Sequence, residues 1–231
     1  DVAFLGSTTP PPTTWSPITF DSSAVTYTLT GFGGADDSTV VVDPTDPANK
    51  VAKVVKSATA ELWAGTTVST GPNFSVPTLP FTASSTKMTV RVYSPDAGIK
   101  VRLKVEDAAD PTKSVETEAT TTVANAWETL TFDFANQAAG TAALNPNYTY
   151  NKASIFFNFG VTGAVAGAKT YYFDDVTFLG GTTPPPTTWS PITFDSSAVT
   201  YTLTGFGGAD DATVVVDPTD PANKVAKVVK S

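Results

Sequence analysis

The first 57 residues of this chain recur almost unchanged 174 positions later, as residues 175–231. Only three positions differ between the two copies: Ala3/Thr177, Ser7/Gly181 and Ser38/Ala212. A period of this length is the size of a domain and far exceeds a short solenoid unit. The chain is therefore predicted to be one whole period of a tandem array followed by about a third of the next period.

Each copy contains three consecutive prolines. Consecutive prolines favour polyproline II, which acts as a semi-rigid spacer. Residues 7–14 and 181–188 are therefore predicted to be linkers on either side of a complete domain at residues 15–180. The other residues are assigned to neighbouring repeats, with residues 1–6 as the last strand of the preceding repeat and residues 189–231 as the N-terminal part of the next.

The charge balance excludes several classes of partner. The chain has 14 Lys and Arg against 22 Asp and Glu, a net charge of −8. Without a basic stripe it is not expected to bind nucleic acid or an anionic membrane surface. No apolar run approaches the ~20 residues of a membrane span. This acidic composition, rich in Thr, Gly and Pro, suits an extracellular bacterial protein at the cell surface.

The chain contains neither Cys nor His. It therefore has no disulfide framework and no thiol chemistry, and it lacks the commonest general base and zinc ligand. No Gly-rich phosphate loop follows a strand, and no pair of carboxylates has an evident catalytic partner. The chain is predicted not to be an enzyme.

Short runs with strand propensity alternate with turn residues from residue 15 onwards, and no helical period is sustained. The clearest pattern covers residues 87–107. There Met88, Val90 and Val92 alternate with polar residues, a turn follows at residues 94–98, and the alternation resumes from Ile99. This pattern predicts a β-hairpin with one apolar and one cationic face.

About ten such strands separated by turns predict an all-β fold. The expected architecture is a two-sheet antiparallel β-sandwich of the jelly-roll type, repeated in tandem with Pro-rich linkers. Apolar residues of alternating strands are expected to be buried between the two sheets. The residues predicted to form this core include Leu130, Phe132, Phe134, Ile155, Phe157 and Phe159.

Several segments between residues 15 and 180 resemble a known class of domain. They include WSPITFDSS, KMTVRVYSPDAGIKVRLKVED, NKASIFFNFG and TYYFDDVTF. Together they resemble the carbohydrate-binding-module-like jelly roll, of the galactose-binding-like class, found in secreted and surface proteins of marine Bacteroidetes. The resemblance implies glycan binding and often a structural calcium ion, although this fold hosts many functions.

Trp63 is the first candidate for a sugar platform. An aromatic face can stack on the apolar C–H face of a pyranose, and the small residues beside Trp63 leave room for the ring. The alternative is a core or rim aromatic. Further candidates share the non-core faces of their strands and could grip hydroxyl groups or simply form a solvated face. These are Arg91, Tyr93, Arg102, Lys104, Glu116, Glu118 and Asn158.

Asp21, Asp174 and Asp175 form the calcium hypothesis, because the first and last strands of jelly rolls often pair as neighbours. Calcium requires six to eight oxygen ligands, so carbonyl groups from a loop such as residues 31–37 would have to complete the site. The alternative is that these carboxylates are simply solvated.

The favoured function is a non-catalytic repeat of a long extracellular fibre or adhesin that binds glycans. The alternative is a carbohydrate-binding module appended to a secreted polysaccharide hydrolase. Near-identical copies favour the fibre, and weak sites in series would gain affinity through effective concentration. The expected partners are neighbouring repeats and polysaccharide. A link to gliding motility follows only from the suspected bacterial group.

Overall fold

The structure is a computed structural model in which two units are distinguished. Residues 15–179 belong to the first unit, and the described residues from 194 onwards belong to the second. The predicted linkers and the predicted strand at residues 1–6 lie outside the described part of the chain. That part comprises residues 15–179, 194–195, 201–205, 207 and 211–229.

The first unit contains ten strands and one short helix, α1, at Gly163–Ala166. In chain order the strands are β1 (Thr28–Phe32), β2 (Asp37–Asp43), β3 (Asp46–Lys56), β4 (Gly65–Ser69), β5 (Lys87–Ser94), β6 (Lys100–Asp107), β7 (Asp110–Thr120), β8 (Ala126–Asp133), β9 (Lys152–Phe157) and β10 (Lys169–Phe178). Across residues 15–179 and the other described positions, no helix is long and apolar enough to cross a membrane.

The ten strands form two antiparallel sheets of five strands each. The first sheet has the order β1-β4-β9-β6-β7, and the second sheet has the order β2-β3-β10-β5-β8. The chain crosses repeatedly between the sheets, as in a jelly roll. The predicted all-β sandwich is therefore confirmed.

Alternation of apolar and polar residues explains which face of each strand is buried. In β5, Met88, Val90 and Val92 are fully buried, while the residues between them are partly exposed. Strand β6 repeats the pattern with Val101 and Val105. Because successive side chains of a strand point to opposite faces, each strand contributes every second residue to one shared core.

Five of the six predicted core residues named above are buried, and Phe159 is the exception. Strand β9 ends at Phe157, and Asn158 then adopts a positive φ of 47°. This left-handed residue interrupts the alternation, so Phe159 packs edge-on against Phe156 on the outer face, with 5.8 Å between ring centroids. The prediction that Phe159 lies between the sheets is wrong.

The predicted hairpin between β5 and β6 is also wrong, although both strands exist. Strand β5 pairs with β8 and β10 in the second sheet, whereas β6 pairs with β7 and β9 in the first. The connection is held to the end of β7, where the Gly98 N–H donates to the Thr121 carbonyl at 2.8 Å. Alternation shows which face of a strand is buried but not which strand lies beside it.

In the second unit, β11 (Asp211–Val216) and β12 (Lys224–Val229) form an antiparallel hairpin. Its register repeats that of β2 and β3, since Val216 pairs with Lys224 as Val42 pairs with Lys50. The two hairpins differ in burial: Val54 is 2% exposed in the first unit, and its counterpart Val228 is 59% exposed. The repeated sequence specifies the hairpin, whereas burial of its apolar face depends on other strands.

Candidate functional site

The outer face of the first sheet carries a groove of about 440 Å³. Alternation again explains which strand residues line the groove, because the residues that lie between core residues on a strand point to the outer face. The groove is lined by Phe32, Trp63, Thr67, Arg102, Lys104, Glu106, Glu116, Lys152, Ser154, Phe156 and Phe159.

Trp63 lies at one end of the groove with its side chain half exposed. Its ring stacks on that of Phe32, with 6.2 Å between centroids and 19° between planes. Two glycines make room for this arrangement. A Cβ atom at Gly33 would lie 2.8 Å from the Trp63 ring, and one at Gly65 would lie 2.5 Å from the ring of Phe156. The rings therefore occupy space that any side chain at these positions would fill.

The floor in the middle of the groove is polar and built from small residues. Thr67 on β4 and Ser154 on β9 are buried, and their hydroxyl oxygens lie 2.8 Å apart in a hydrogen bond. They are direct cross-strand partners. Short side chains here keep the floor low between the aromatic end and the charged side of the groove.

Arg102 forms part of the charged side. Its Nε–H donates to Glu118 Oε1 at 2.8 Å, and its Nη1–H donates to Glu116 Oε2 at 2.8 Å. Its guanidinium also lies over the Phe159 ring, 3.6 Å from the centroid. Burial acts to raise the pKa of Glu118, but hydrogen bonds and charge from Lys100 and Arg102 outweigh it and lower that pKa. Arg102 is thus held in a fixed orientation.

Glu106 forms a second charged cluster farther along the groove. This buried carboxylate lies 2.6 Å from the Lys104 ammonium and 2.7 Å from the Lys152 ammonium. Burial would raise the pKa of Glu106, but the two lysines outweigh burial and lower it. Each ammonium has three N–H donors, so donors remain beyond the one directed at Glu106.

The structure places the predicted glycan-binding residues at three locations. Trp63 and Arg102, with Lys104 and Glu116, line the groove, and Glu118 binds Arg102 beside it. Arg91 and Tyr93 lie on β5 in the second sheet, on the other side of the sandwich. Asn158 follows β9, and its carbonyl accepts a hydrogen bond from Lys56 Nζ at 3.0 Å.

The outer face of the second sheet carries its own cluster of aromatic and cationic side chains. The Arg91 guanidinium lies 4.0 Å from the centroid of the Trp127 ring. Trp127 Nε1–H donates to Thr45 Oγ1 at 3.0 Å, which ties the ring down across the sheet. Tyr93 packs edge-on against Trp127 and Tyr172. Arg91 and Tyr93 therefore contact one another's neighbours on this sheet, whereas Trp63 stacks on Phe32 beside the groove.

The three predicted calcium ligands have other contacts. Asp174 is buried; its Oδ1 accepts the Asp175 N–H at 2.8 Å, and its Oδ2 lies 3.5 Å from Arg91 Nη1. Asp21 is exposed and accepts the Lys50 N–H at 2.9 Å. Within the described ranges, no three His, Cys, Asp or Glu side chains are grouped closely enough to hold a metal ion. Calcium binding stays a prediction, and it requires the Asp174 carboxylate to move away from the Arg91 guanidinium.

The opening segment and the last strand of this unit do meet, as the calcium hypothesis assumed. Ile18 and Val176 form an antiparallel bridge with N–H···O distances of 3.0 and 3.1 Å. The opening segment is thereby joined to β10, and Asp21 attaches it to β3 through Lys50.

Sequence reasoning missed most of the groove's aromatic and hydroxyl residues. Outward alternation in β9 could have indicated Lys152, Ser154 and Phe156, but not that β4 and β6 flank this strand. That neighbourhood depends on pairings between residues far apart in the chain. The residues missed were Phe32, Thr67, Glu106, Lys152, Ser154, Phe156 and Phe159 as an outward residue.

No family model matches this chain, and no curated protein matches it. Solved structures do show a distant similarity. The family 11 carbohydrate-binding module of the cellulosomal cellulase Lic26A-Cel5E of Clostridium thermocellum has a TM-score of 0.46 and 12% identity, covering 72% of this chain and 95% of the module.

Two further solved structures are complexes with oligosaccharides. The family 11 module from Clostridium thermocellum with a beta-1,3-1,4-mixed-linked tetrasaccharide has a TM-score of 0.44 and 12% identity, covering 67% of this chain and 89% of that one. A mutant of the family 29 module CBM29-2 complexed with mannohexaose has a TM-score of 0.41 and 11% identity, covering 71% of this chain and 90% of that one. These are distant similarities of shape between β-sandwich domains.

Proposed function

We propose that this chain is a non-catalytic, glycan-binding repeat of an extracellular surface protein, and that the groove on the first sheet is its binding site. The observation that carries the proposal is the half-exposed Trp63 ring, stacked on Phe32 beside a polar groove. Ligand sites are typically concave surfaces in which aromatic side chains lie beside a few converging polar groups.

The chemistry of the groove matches a carbohydrate. A sugar ring has an apolar C–H face and a rim of hydroxyl groups that both donate and accept hydrogen bonds. Trp63 supplies a flat apolar surface, while Arg102 and the lysines supply charge-assisted donors. Because Glu116 and Phe159 already orient Arg102, binding would cost little side-chain entropy.

The ionisation of the groove supports binding without hydrolysis. Glycoside hydrolysis usually needs one carboxylic acid whose pKa is raised, so that it can protonate the leaving group. Glu106 and Glu118 have the opposite shift, because their cationic partners lower their pKa values. These carboxylates serve to orient cations and are unsuited to act as general acids.

Affinity gel electrophoresis of the full chain tests the proposal, with β-glucan, β-mannan, agar and alginate in separate gels. We expect retardation by at least one polysaccharide. Trp63→Ala should weaken that binding about tenfold or more, because tryptophan side chains typically contribute most to the affinity of such a site.

Leu62→Ala is the matched control for this experiment, since Leu62 is also exposed but does not line the groove. It should migrate like the unaltered chain. Normal migration of the unaltered chain in all four gels would contradict glycan binding. Equal retardation of the Trp63→Ala variant would contradict the assignment of the binding site to the groove at Trp63.

The context of the binding repeat is the second part of the proposal. Near-identical copies joined by Pro-rich segments favour a long fibre or adhesin over a single module appended to a hydrolase. The sequence of the whole parent gene distinguishes the two. A fibre predicts many further repeats, whereas a catalytic domain beside one or two repeats would support the appended module.

A further inference from the structure

A loop that follows β4 holds a second aromatic residue in an unusual conformation. Phe74 is 51% exposed and has a φ of 59°, directly after Asn73 with a φ of 55°. Asparagine tolerates the left-handed region, but a bulky side chain there is a genuine outlier that costs free energy. Such strain persists only where the surrounding structure imposes it.

Backbone hydrogen bonds impose this conformation. The N–H groups of Thr70 and Gly71 both donate to the Ser75 carbonyl, at 2.9 and 3.1 Å, and the Ser75 N–H donates to the Pro72 carbonyl at 3.1 Å. The following Val76 N–H donates to Asn151 at 2.8 Å, just before β9 begins. The loop is therefore attached to the strand that carries the groove floor.

The loop that holds Phe74 lies at the opposite end of β4 from Trp63. Thr66 pairs with Ile155 and Val68 pairs with Ala153, so the start of β4 lies beside the end of β9. Trp63 lies two residues before β4 and Phe74 lies five residues after it. At ~3.3 Å per residue, the length of β4 separates the two ends by about 13 Å.

Contacts with Lys152 link Phe74 to the groove itself. The Lys152 ammonium lies 6.0 Å from the centroid of the Phe74 ring and also binds Glu106, and Lys152 lines the groove. Between Trp63 and Phe74 lie the hydroxyl floor of Thr67 and Ser154 and the charged side chains beside it. The face therefore has a ring at each end and hydrogen-bonding groups in the middle.

We propose that Phe74 is a second aromatic binding residue, and that the ligand is an extended oligosaccharide segment lying along β4 and β9. This inference rests on the proposed function and adds to it the length of the ligand. A mono- or disaccharide would contact the Trp63 end alone. A longer chain would contact both rings across the polar floor, which also explains why strain at Phe74 is retained.

Isothermal titration calorimetry on the full chain tests this proposal. The probes are oligosaccharides of two and six sugar units cut from whichever of β-glucan, β-mannan, agar or alginate is retained in the gels. The six-unit probe should bind more tightly than the two-unit probe. Phe74→Ala should weaken six-unit binding about three- to tenfold and leave two-unit binding unchanged, whereas Trp63→Ala should weaken both.

Phe74→Gly separates a binding role from a structural one. Glycine adopts the left-handed region without strain, so this variant should melt at a higher temperature and still lose affinity for the six-unit probe. Phe74→Tyr should bind normally. Tyr148→Ala, which removes another exposed aromatic side chain that lies beside Lys113 and not beside Lys152, should also bind normally.

Two results would overturn the proposal while leaving the proposed function intact. One is equal affinity of the unaltered chain for both probes, and the other is unchanged six-unit binding by Phe74→Ala and Phe74→Gly. A lower melting temperature of Phe74→Gly with unchanged binding would assign Phe74 a structural role. Absence of retardation in every gel would instead contradict the proposed function.

Discussion

Two neighbouring carboxylates on the second sheet show how strongly local contacts determine the ionisation of a residue. Asp43 and Asp174 are both buried, and Arg91 Nη1 lies 3.6 Å from one and 3.5 Å from the other. Burial would raise the pKa of Asp43, but hydrogen bonds from Thr45, Asn49 and Trp127 outweigh it, so that pKa is lowered.

Asp174 has the opposite shift. Burial raises the pKa of Asp174 to about 6, and the hydrogen bond from Asn49 and the charge of Arg91 offset burial only in part. One guanidinium thus serves two buried carboxylates, and the less well hydrogen-bonded of the two keeps its proton to higher pH.

This asymmetry predicts a pH-dependent stability. Because the pKa of Asp174 is higher in the folded than in the unfolded state, the folded state binds its proton more tightly. The resulting stabilisation is complete below the unfolded pKa and is lost as the pH rises through about 6. Urea unfolding should show the free energy of unfolding falling by about 1 kcal/mol between pH 5 and pH 7.

The absence of His from the chain makes the test of Asp174 specific, since no other side chain ordinarily titrates between these pH values. Asp174→Asn should remove the dependence. Asp36→Asn, which alters an exposed carboxylate, should keep it. A flat profile for the unaltered chain would show that Asp174 ionises at its ordinary pKa.

At the level of elements, Lys56 connects the two sheets. It ends β3 in the second sheet and is 2% exposed. Its ammonium donates to the carbonyl oxygens of Phe157, Asn158 and Val161, at 3.3, 3.0 and 2.8 Å. These carbonyls belong to the end of β9 and the segment after it, which also carries Phe159 into the groove.

Replacing Lys56 by Met should destabilise the domain by about 2–4 kcal/mol, because three carbonyl groups lose a charged donor in a buried setting. Chemical unfolding measures the change. Lys53→Met on the same strand is the matched control and should cost less than about 1 kcal/mol, since Lys53 makes a partly exposed ion pair with Asp37. Equal losses for both variants would contradict the anchoring role of Lys56.

Strands could be predicted element by element, whereas their pairing could not. The alternation of Met88, Val90 and Val92 identified β5, and the turn before Ile99 separated it from β6. A turn of that kind fits a hairpin and also a crossover between sheets. The choice depends on the pairing of β5 with β8 and β10 and of β6 with β9, and these partners lie far away in the chain.

At the level of the whole molecule, the predicted calcium ion would join the opening segment to the last strand of a repeat. A site formed by Asp21, Asp174 and Asp175 with backbone carbonyls predicts that a chelator lowers the melting temperature and that added calcium restores it. Magnesium should restore it less, because it demands a tighter octahedral shell. An unchanged midpoint with chelator would contradict calcium binding and favour Arg91 as the permanent partner of Asp174.

The candidate site could be predicted from sequence only in part. Trp63 was recognisable because an aromatic residue followed by the small residues Ala64 and Gly65 suits a platform, and Arg102 because it alternates with core residues of β6. Arg91 and Tyr93 show the same alternation but lie on the other sheet, in contact with Trp127. Periodicity reports only whether a side chain points inward or outward, and both sheets have an outer face.

The amino-acid sequence by itself determined the recurrence of a 57-residue segment, the all-β class and the buried face of most strands. The recurrence is visible in the identical residues, the all-β class follows from short runs separated by turn residues, and the buried faces follow from a two-residue period. Tertiary structure alone decided the remaining features. Pairing of distant strands brought Trp63, Thr67, Ser154 and Arg102 to one face, a left-handed Asn158 turned Phe159 outward, and crossing between the sheets placed Arg91 and Tyr93 on the other sheet.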